Sequence, residues 1–136
     1  MKKTIAIIFA FLLFVSLATP AHAANSNITP YDTNSGFGLF YIGSDGVAHI
    51  GYQYDGDEFT ESVTVTVKLE KKNLIFFWKD IEEWTITSYD VVSSGELEYQ
   101  LTKSGTYRCT IVYEVTNTDG TTDTYEYQKE LEYDPA

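Results

Sequence analysis

The dominant feature of this chain is an alternation of apolar and polar residues, the period-two pattern that predicts β-strands with one buried face. The clearest run is residues 62–70, where valines and a leucine occupy one face while threonines and charged residues occupy the other. Six further segments are predicted to be strands, most of them by the same alternation. The predicted strands are residues 37–42, 47–54, 62–70, 74–87, 96–101, 106–115 and 123–133.

Turn motifs separate these strands. Segments 43–46 (GSDG) and 118–121 (TDGT) combine Asp with Gly, which adopts the positive φ that tight turns need. No segment shows a helical period. Seven short antiparallel strands predict an all-β fold, a single two-sheet sandwich over residues 36–134, with a small closed β-barrel as the alternative.

The fourth predicted strand interrupts the alternation. Residues 74–78 (LIFFW) are apolar on both faces, and beyond them Asp80 and Glu82 would share a face with Trp84 in a regular strand. Because burying two unpaired acids is unfavourable, the pattern predicts a bulge near residues 79–80.

The same apolar run is the candidate binding surface. One of its faces fills the core, so the other is either covered by a loop or exposed to a partner. Phe77 and Trp78 form the candidate binding patch, and the run alone does not decide which ring points outward. The alternative is that both rings only pack, since aromatic residues fit a half-buried strand well. Trp84 is predicted to face the core.

The first 23 residues have the composition of a signal peptide. Two lysines precede the apolar run 5–15, and segment 21–23 (AHA) has the small residues of a cleavage site. A run of about 11 residues rises only about 16 Å as a helix, too short for a hydrocarbon core of about 30 Å. The sequence therefore predicts cleavage after Ala23, export from a bacterium, and a mobile N-terminal arm over residues 24–35.

Charge restricts the class of partner. The chain has 9 Lys and Arg against 20 Asp and Glu, a net charge of −11. Nucleic acids and anionic membrane or wall surfaces attract basic proteins, so the net charge argues against them. The expected partner is a protein or a glycan. The processed chain is predicted to be a monomer that does not insert into a membrane.

Few residues are available for catalysis. His49 is the only histidine outside the predicted leader, and no G-x-S-x-G motif occurs. Glu82 and Glu83 are adjacent on a strand and point to opposite faces, unlike the paired acids of glycosidases. We predict that His49 is a solvated strand residue, and we predict no enzymatic activity, catalytic residue or cofactor.

Two acidic turns leave calcium open as an alternative to simple turn formation. They are residues 55–58 (DGDE) and residues 117–123 (NTDGTTD), which have hard oxygen ligands in loops. Neither has the spacing of an EF-hand, and Asp and Asn also form turns without a metal. No metal site is predicted.

Segment 101–112 (LTKSGTYRCTIV) resembles the penultimate strand of immunoglobulin-like and fibronectin type III-like sandwiches. The resemblance implies that the hydroxyl of Tyr107 bonds back across the strand corner. The second and third predicted strands lack the partner cysteine and the core tryptophan of true immunoglobulins. Cys109 is the only cysteine and shares a strand face with Tyr107 and Ile111, so it is predicted to be a buried free thiol, with a disulfide between two chains as the alternative.

Over nearly its whole length the chain resembles a group of small exported proteins from Gram-positive bacteria. The matching motifs are I-x-P-Y at residues 28–31, V-x-L-x-K-K at 67–72, F-W-K at 77–79 and G-T-Y-R at 105–108. The resemblance implies export and a sandwich fold and assigns no activity. We expect a secreted, non-catalytic binding module at or outside the cell surface. The alternative is a soluble extracellular effector, such as an inhibitor, immunity or toxin-like factor.

Overall fold

The computed structural model describes residues 35–135, most of which belong to seven strands. The strands are β1 Ser35–Ile42, β2 Val47–Asp55, β3 Thr60–Asn73, β4 Phe77–Ser88, β5 Val92–Gln100, β6 Gly105–Asn117 and β7 Thr122–Tyr133. The predicted signal peptide and residues 24–34 of the predicted arm lie outside the described residues. Ser35, assigned to the arm from the sequence, is the first residue of β1.

All strand pairs are antiparallel, and they form two sheets with the orders β1-β2-β5 and β4-β3-β6-β7. Within residues 35–135 the sheets stay open and contain no helix, so no helix there could cross a membrane. The all-β two-sheet sandwich is confirmed, and the closed-barrel alternative is wrong. In constant-type immunoglobulin domains the fourth strand joins the sheet of the first two. Here β4 pairs with β3 instead, so the β3–β4 hairpin forms one edge of the four-stranded sheet.

The core lies between the sheets and is made by the faces that alternation predicts. Val63, Val65, Val67 and Leu69 of β3 are fully buried. Cys109 is also fully buried, as predicted, and burial raises the pKa of its thiol to about 12. Among the described residues this core cluster spans Phe40 to Val115.

Tyr113 connects the two sheets through its side chain. It belongs to β6, and its hydroxyl donates a hydrogen bond to the carbonyl of Phe37 on β1. The same hydroxyl accepts a hydrogen bond from the backbone N–H of Gln53 on β2, at 3.1 Å. Because the ring is buried, burial raises the pKa of this phenol to about 12. Tyr113 therefore fixes the position of one sheet relative to the other.

The predicted bulge in β4 is present, one residue beyond the predicted position. Leu69 of β3 lies opposite Glu82 while Glu70 lies opposite Asp80, which leaves Ile81 as the extra residue. Ile81 packs against the core, and both acids are exposed. The bulge thus resolves the conflict in the sequence pattern by turning an isoleucine inward in place of an acid.

β5 begins at Val92, whereas the sequence predicted a start at residue 96. The added segment includes Ser93, Ser94 and Gly95, residues with low preference for strands. They are held in the strand because they pair with residues 52–54 of β2. Tertiary pairing has overridden a weak local preference here.

The predicted corner at Tyr107 is confirmed. Its ring is buried, and its hydroxyl donates a hydrogen bond to the carbonyl of Lys103, at 2.6 Å. Burial raises the pKa of this phenol. The bond fixes the loop between β5 and β6 at the point where the chain crosses from one sheet to the other.

Replacing Tyr107→Phe is expected to lower the free energy of unfolding by about 1–1.5 kcal/mol, because the carbonyl of Lys103 loses its partner while the ring stays in place. Urea denaturation measures the change. Tyr89 is 81 % exposed, so Tyr89→Phe is the matched control and is expected to leave the stability unchanged. Equal effects of the two substitutions would contradict a structural role for the corner.

Candidate functional site

The most exposed apolar segment of the described chain is the turn between β3 and β4. Leu74, Ile75 and Phe76 are 77 %, 75 % and 83 % exposed, and Phe77, the first residue of β4, is 65 % exposed. We call these four residues the β3–β4 tip. Large apolar side chains are scattered over most protein surfaces, but four in succession at a convex tip form a continuous apolar surface.

The sequence prediction of a strand over residues 74–76 is wrong. The chain reverses direction at this point, because Asn73 of β3 already pairs with Phe77 of β4. Leu74 adopts a positive φ of 61°, which is uncommon for a residue with a large side chain. The sequence pattern predicts the turn three residues earlier, at residues 71–73 (KKN), because Asn favours hairpin turns. That prediction is wrong, since residues 71–73 belong to β3. Leu74, Ile75 and Phe76 were therefore missing from the predicted patch, which named only Phe77 and Trp78.

The structure separates the two predicted patch residues. Phe77 points into solvent at the end of the hairpin. Trp78 is half-buried on the outer face of the four-stranded sheet, where the guanidinium carbon of Arg108 lies 4.1 Å from the ring centroid. The ammonium of Lys72, opposite Trp78 on β3, lies 5.7 Å from the same centroid. Both contacts have cation–π geometry.

Arg108 is itself fixed by a carboxylate. Its Nε donates a hydrogen bond to Oε2 of Glu70 at 2.8 Å, and its Nη2 lies 2.8 Å from the same oxygen in an ion pair. Glu70 is buried, and the two residues lie opposite each other on β3 and β6. The charge-assisted pair therefore holds the guanidinium against Trp78 and fixes the base of the tip. Trp84 lies beyond the bulge, so it faces inward and packs against the core as predicted.

Charge is distributed unevenly along the sandwich. Residues 71–79 contain three lysines and no acid, and two of them, Lys72 and Lys79, are exposed. All seven lysine and arginine residues of the described chain lie in the half of the sandwich nearer the tip. The loops at the opposite end, residues 56–59, 89–91 and 118–121, contain four acids and no cation. The net negative charge thus lies mainly away from the tip.

His49 lies on the outer sheet face, as predicted, but its side chain is only 27 % exposed. Its ring stacks on Tyr41 with a centroid distance of 4.6 Å, and its Nδ1 lies 3.1 Å from Oε1 of Glu98. The three residues lie side by side on β1, β2 and β5. This arrangement uses both the imidazole face and one ring nitrogen for packing and pairing.

The acidic turns use their carboxylates in local hydrogen bonds. Asp57 accepts from the N–H of Phe59 at 2.8 Å, and Asp119 accepts from the hydroxyl of Thr121 at 2.6 Å. The hydrogen bonds from Thr121 lower the pKa of Asp119. In the part of the chain that the structure covers, no three His, Cys, Asp or Glu side chains converge as metal ligands.

Two other groups of apolar residues are exposed. Phe37, Leu39 and Tyr41 share the outer face of β1 with exposed fractions of 44–59 %, and Tyr41 is stacked on His49. Phe59, Tyr89, Val91 and Val92 lie at the end of the sandwich opposite the tip, and neither group has four consecutive exposed apolar residues. The tip is therefore the strongest candidate for a binding surface.

The described chain is an antiparallel β-sandwich with an exposed apolar hairpin turn. Next to this turn lies Trp78, whose ring contacts the guanidinium of Arg108. No protein-family model matches the chain, and comparisons with curated proteins and with solved structures find no match either.

Proposed function

We propose that this protein is an exported, non-catalytic binding module that acts at or outside the cell surface and binds its partner through the β3–β4 tip. The observation that carries the proposal is the exposure of four successive large apolar side chains. Exposed apolar surface of this kind is unfavourable in water and marks interaction sites. The expected partner is a protein, a glycan-bearing surface or another component of the cell envelope.

Folding does not require the tip to be apolar. The buried core consists of residues from the strands and Leu101, and none of the four tip residues belongs to it. A polar turn would therefore close the hairpin without exposing apolar area. The apolar composition of the tip is explained by binding rather than by stability.

The base of the tip is preorganised for binding. The contacts from Glu70 through Arg108 to Trp78 fix the outer face of the sheet next to the exposed residues. A surface held in its bound shape loses less conformational entropy on association. This rigidity supports a recognition role for the tip.

The non-catalytic part of the proposal rests on how the candidate catalytic group is used. The imidazole of His49 is engaged with Tyr41 and Glu98 on a sheet face. The carboxylate on Nδ1 leaves Nε2 for acid–base chemistry, which needs a nucleophile or substrate group within hydrogen-bond reach. His49 instead lies on an outer sheet face and stacks on Tyr41, which favours a structural role.

The double substitution Ile75→Ser, Phe76→Ser is expected to reduce retention of the chain on intact cells and purified wall material at least tenfold. Each side chain contributes about 1.5–3 kcal/mol when it is fully buried in a complex. Retention of labelled protein lacking residues 1–23 is measured at low and at physiological salt. Phe59→Ser is the control, because Phe59 is 60 % exposed at the opposite end. Unchanged retention of the tip variant would disprove a binding role for the tip.

An extracellular effector remains the second candidate, because inhibitors also act through a protruding loop. The same observation, a convex and apolar tip, supports it. Assays of protease inhibition and of growth of competing cells separate the two. Activity in these assays, lost in the tip variant and without retention on cells, would favour the effector.

A further inference from the structure

We infer that the β3–β4 tip inserts into the interface of an anionic phospholipid bilayer. This inference rests on the proposed function and names its partner as the lipid surface itself. It is carried by three properties of the tip: the exposure of its apolar side chains, lysines at the depth of the headgroups, and the absence of acids from residues 71–79.

The shape of the tip fits a deformable apolar phase. Ile75 and Phe76 are among the most exposed apolar residues of the described chain, and they project beyond the last strand pair, Asn73 with Phe77. A protein partner would need a matching cavity for these side chains. The interfacial region of a bilayer accepts apolar side chains to a depth of about 5–10 Å without a preformed pocket.

The lysines lie where the headgroups would be. Strands rise about 3.3 Å per residue, so the pair Lys72 and Trp78 lies one step behind Phe77. The next pair, Lys71 and Lys79, lies about 7 Å behind. With the apolar turn inserted, the ammonium groups of Lys72 and Lys79 reach the phosphate layer. Trp78 then lies at the interface, where tryptophan is enriched in membrane proteins.

The net charge of −11 led us to expect no contact with an anionic membrane, but residues 71–79 contain three lysines and no acid, so the charge at the tip has the opposite sign. β3 has 14 residues and spans about 45 Å, whereas charges are screened beyond about 8 Å at physiological ionic strength. The acids of the far loops, such as Asp57, Asp90 and Asp119, are therefore screened from the lipid when the tip is inserted. A molecule that approached with the far end first would be repelled. The charge distribution thus orients the sandwich with its tip toward an anionic surface.

The test is association of the chain from residue 24 onward with large unilamellar vesicles. One set contains phosphatidylcholine with about one third phosphatidylglycerol, and the other phosphatidylcholine alone. The leader is omitted because its apolar run would itself partition into lipid. We expect binding to the anionic vesicles that weakens with salt, and much weaker binding to the neutral vesicles. No association with anionic vesicles at low salt would overturn the inference.

Substitutions separate insertion from simple charge attraction. Ile75→Ser with Phe76→Ser is expected to lower vesicle partitioning on the order of 100-fold, and the control Phe59→Ser less than about twofold. Lys72→Gln with Lys79→Gln is expected to lower it about 25-fold, roughly fivefold per lysine, whereas Lys129→Gln on β7 leaves it nearly unchanged. Binding that depends on the lysines but is unaffected by the serine substitutions would overturn insertion and indicate a polyanion such as a wall polymer.

Trp78 reports the depth directly. The chain has two tryptophans, so Trp84→Phe leaves Trp78 as the only indole. Lipids brominated near the start of the acyl chains are expected to quench its fluorescence on binding, and the serine variant is expected to show no quenching. Absence of quenching in vesicle-bound protein would contradict an inserted tip.

The outcomes for lipid and for the proposed function can be distinguished. Tip-dependent retention on cells without vesicle binding would overturn the lipid inference and leave the binding module standing. Loss of both would overturn both proposals.

Discussion

Raising the pH from about 9 to about 12 is expected to unfold this sandwich cooperatively. Three acidic groups in the core hold their protons more tightly than they would in water. Burial raises the pKa of Cys109 and of Tyr113 to about 12, and burial also raises the pKa of Tyr54. All three side chains are essentially inaccessible to solvent.

The direction follows from the proton balance between the two states. In the unfolded chain the thiol ionises near pH 9 and the phenols near pH 10, so above these values the unfolded chain binds fewer protons than the folded one. The free energy of unfolding is therefore highest below about pH 9. It decreases as the pH rises toward the pKa values that these groups have in the folded state. Each group contributes up to about 1.4 kcal/mol per pH unit. Since small domains have about 5–15 kcal/mol in total, a few such groups suffice to unfold this one.

The measurement combines two spectroscopic signals during a titration from pH 8 to pH 12. Far-UV circular dichroism reports the sheets, and tyrosinate absorbance reports ionisation of the 11 tyrosines. The buried phenols are expected to ionise together with the loss of the sheets. Cys109→Ala removes one of the coupled groups, so its stability is expected to fall less steeply between pH 9 and pH 10. A chain that kept its sheets at pH 12 with all tyrosines ionised would contradict this prediction.

The substitution Arg108→Ala is expected to lower the free energy of unfolding by about 3 kcal/mol. Glu70 would remain buried without its cation, and an unpaired buried carboxylate is strongly unfavourable. Trp78 would also lose the guanidinium that covers its ring. Urea denaturation at neutral pH measures the loss.

A nearby exposed pair provides the matched control for this substitution. Lys68 and Glu83 lie 3.5 Å apart, and their side chains are 37 % and 53 % exposed. Lys68→Ala is expected to lower the stability by less than about 1 kcal/mol, because solvent screens the pair. Combining Arg108→Ala with Glu70→Gln should restore part of the loss by removing the unpaired charge. Equal losses of unfolding free energy for Arg108→Ala and Lys68→Ala would show that the Arg108–Glu70 pair does not stabilise the base of the tip.

Local patterns were sufficient for much of the fold. The inward faces of β3 and β6 followed from alternation, because a strand with one buried face requires apolar residues at every second position. The bulge in β4 was predictable because the alternative would have buried Asp80 and Glu82. The corner at Tyr107 was predictable from a short motif, since its hydrogen bond spans only four residues.

The tip was only partly predictable. Phe77 and Trp78 were recognised because the run around them is apolar on both faces, but residues 74–76 were assigned to a strand and the turn was placed at residues 71–73. The reversal at Leu74 depends on a positive φ that its residue type does not favour. The ion pair beside the tip joins Glu70 to Arg108, which are 38 residues apart in the sequence. Their contact depends on the register of β3 with β6.

The sequence by itself determined that the chain forms seven antiparallel strands around an apolar core with a buried thiol, because alternation and turn chemistry act between near neighbours. Only the tertiary structure decided that the four apolar residues 74–77 are exposed at one end of the sandwich. It also decided that the Glu70–Arg108 ion pair contacts Trp78 beside them and that the cations lie in that half. These features depend on strand register and sheet order, which bring distant residues together and which no local pattern specifies.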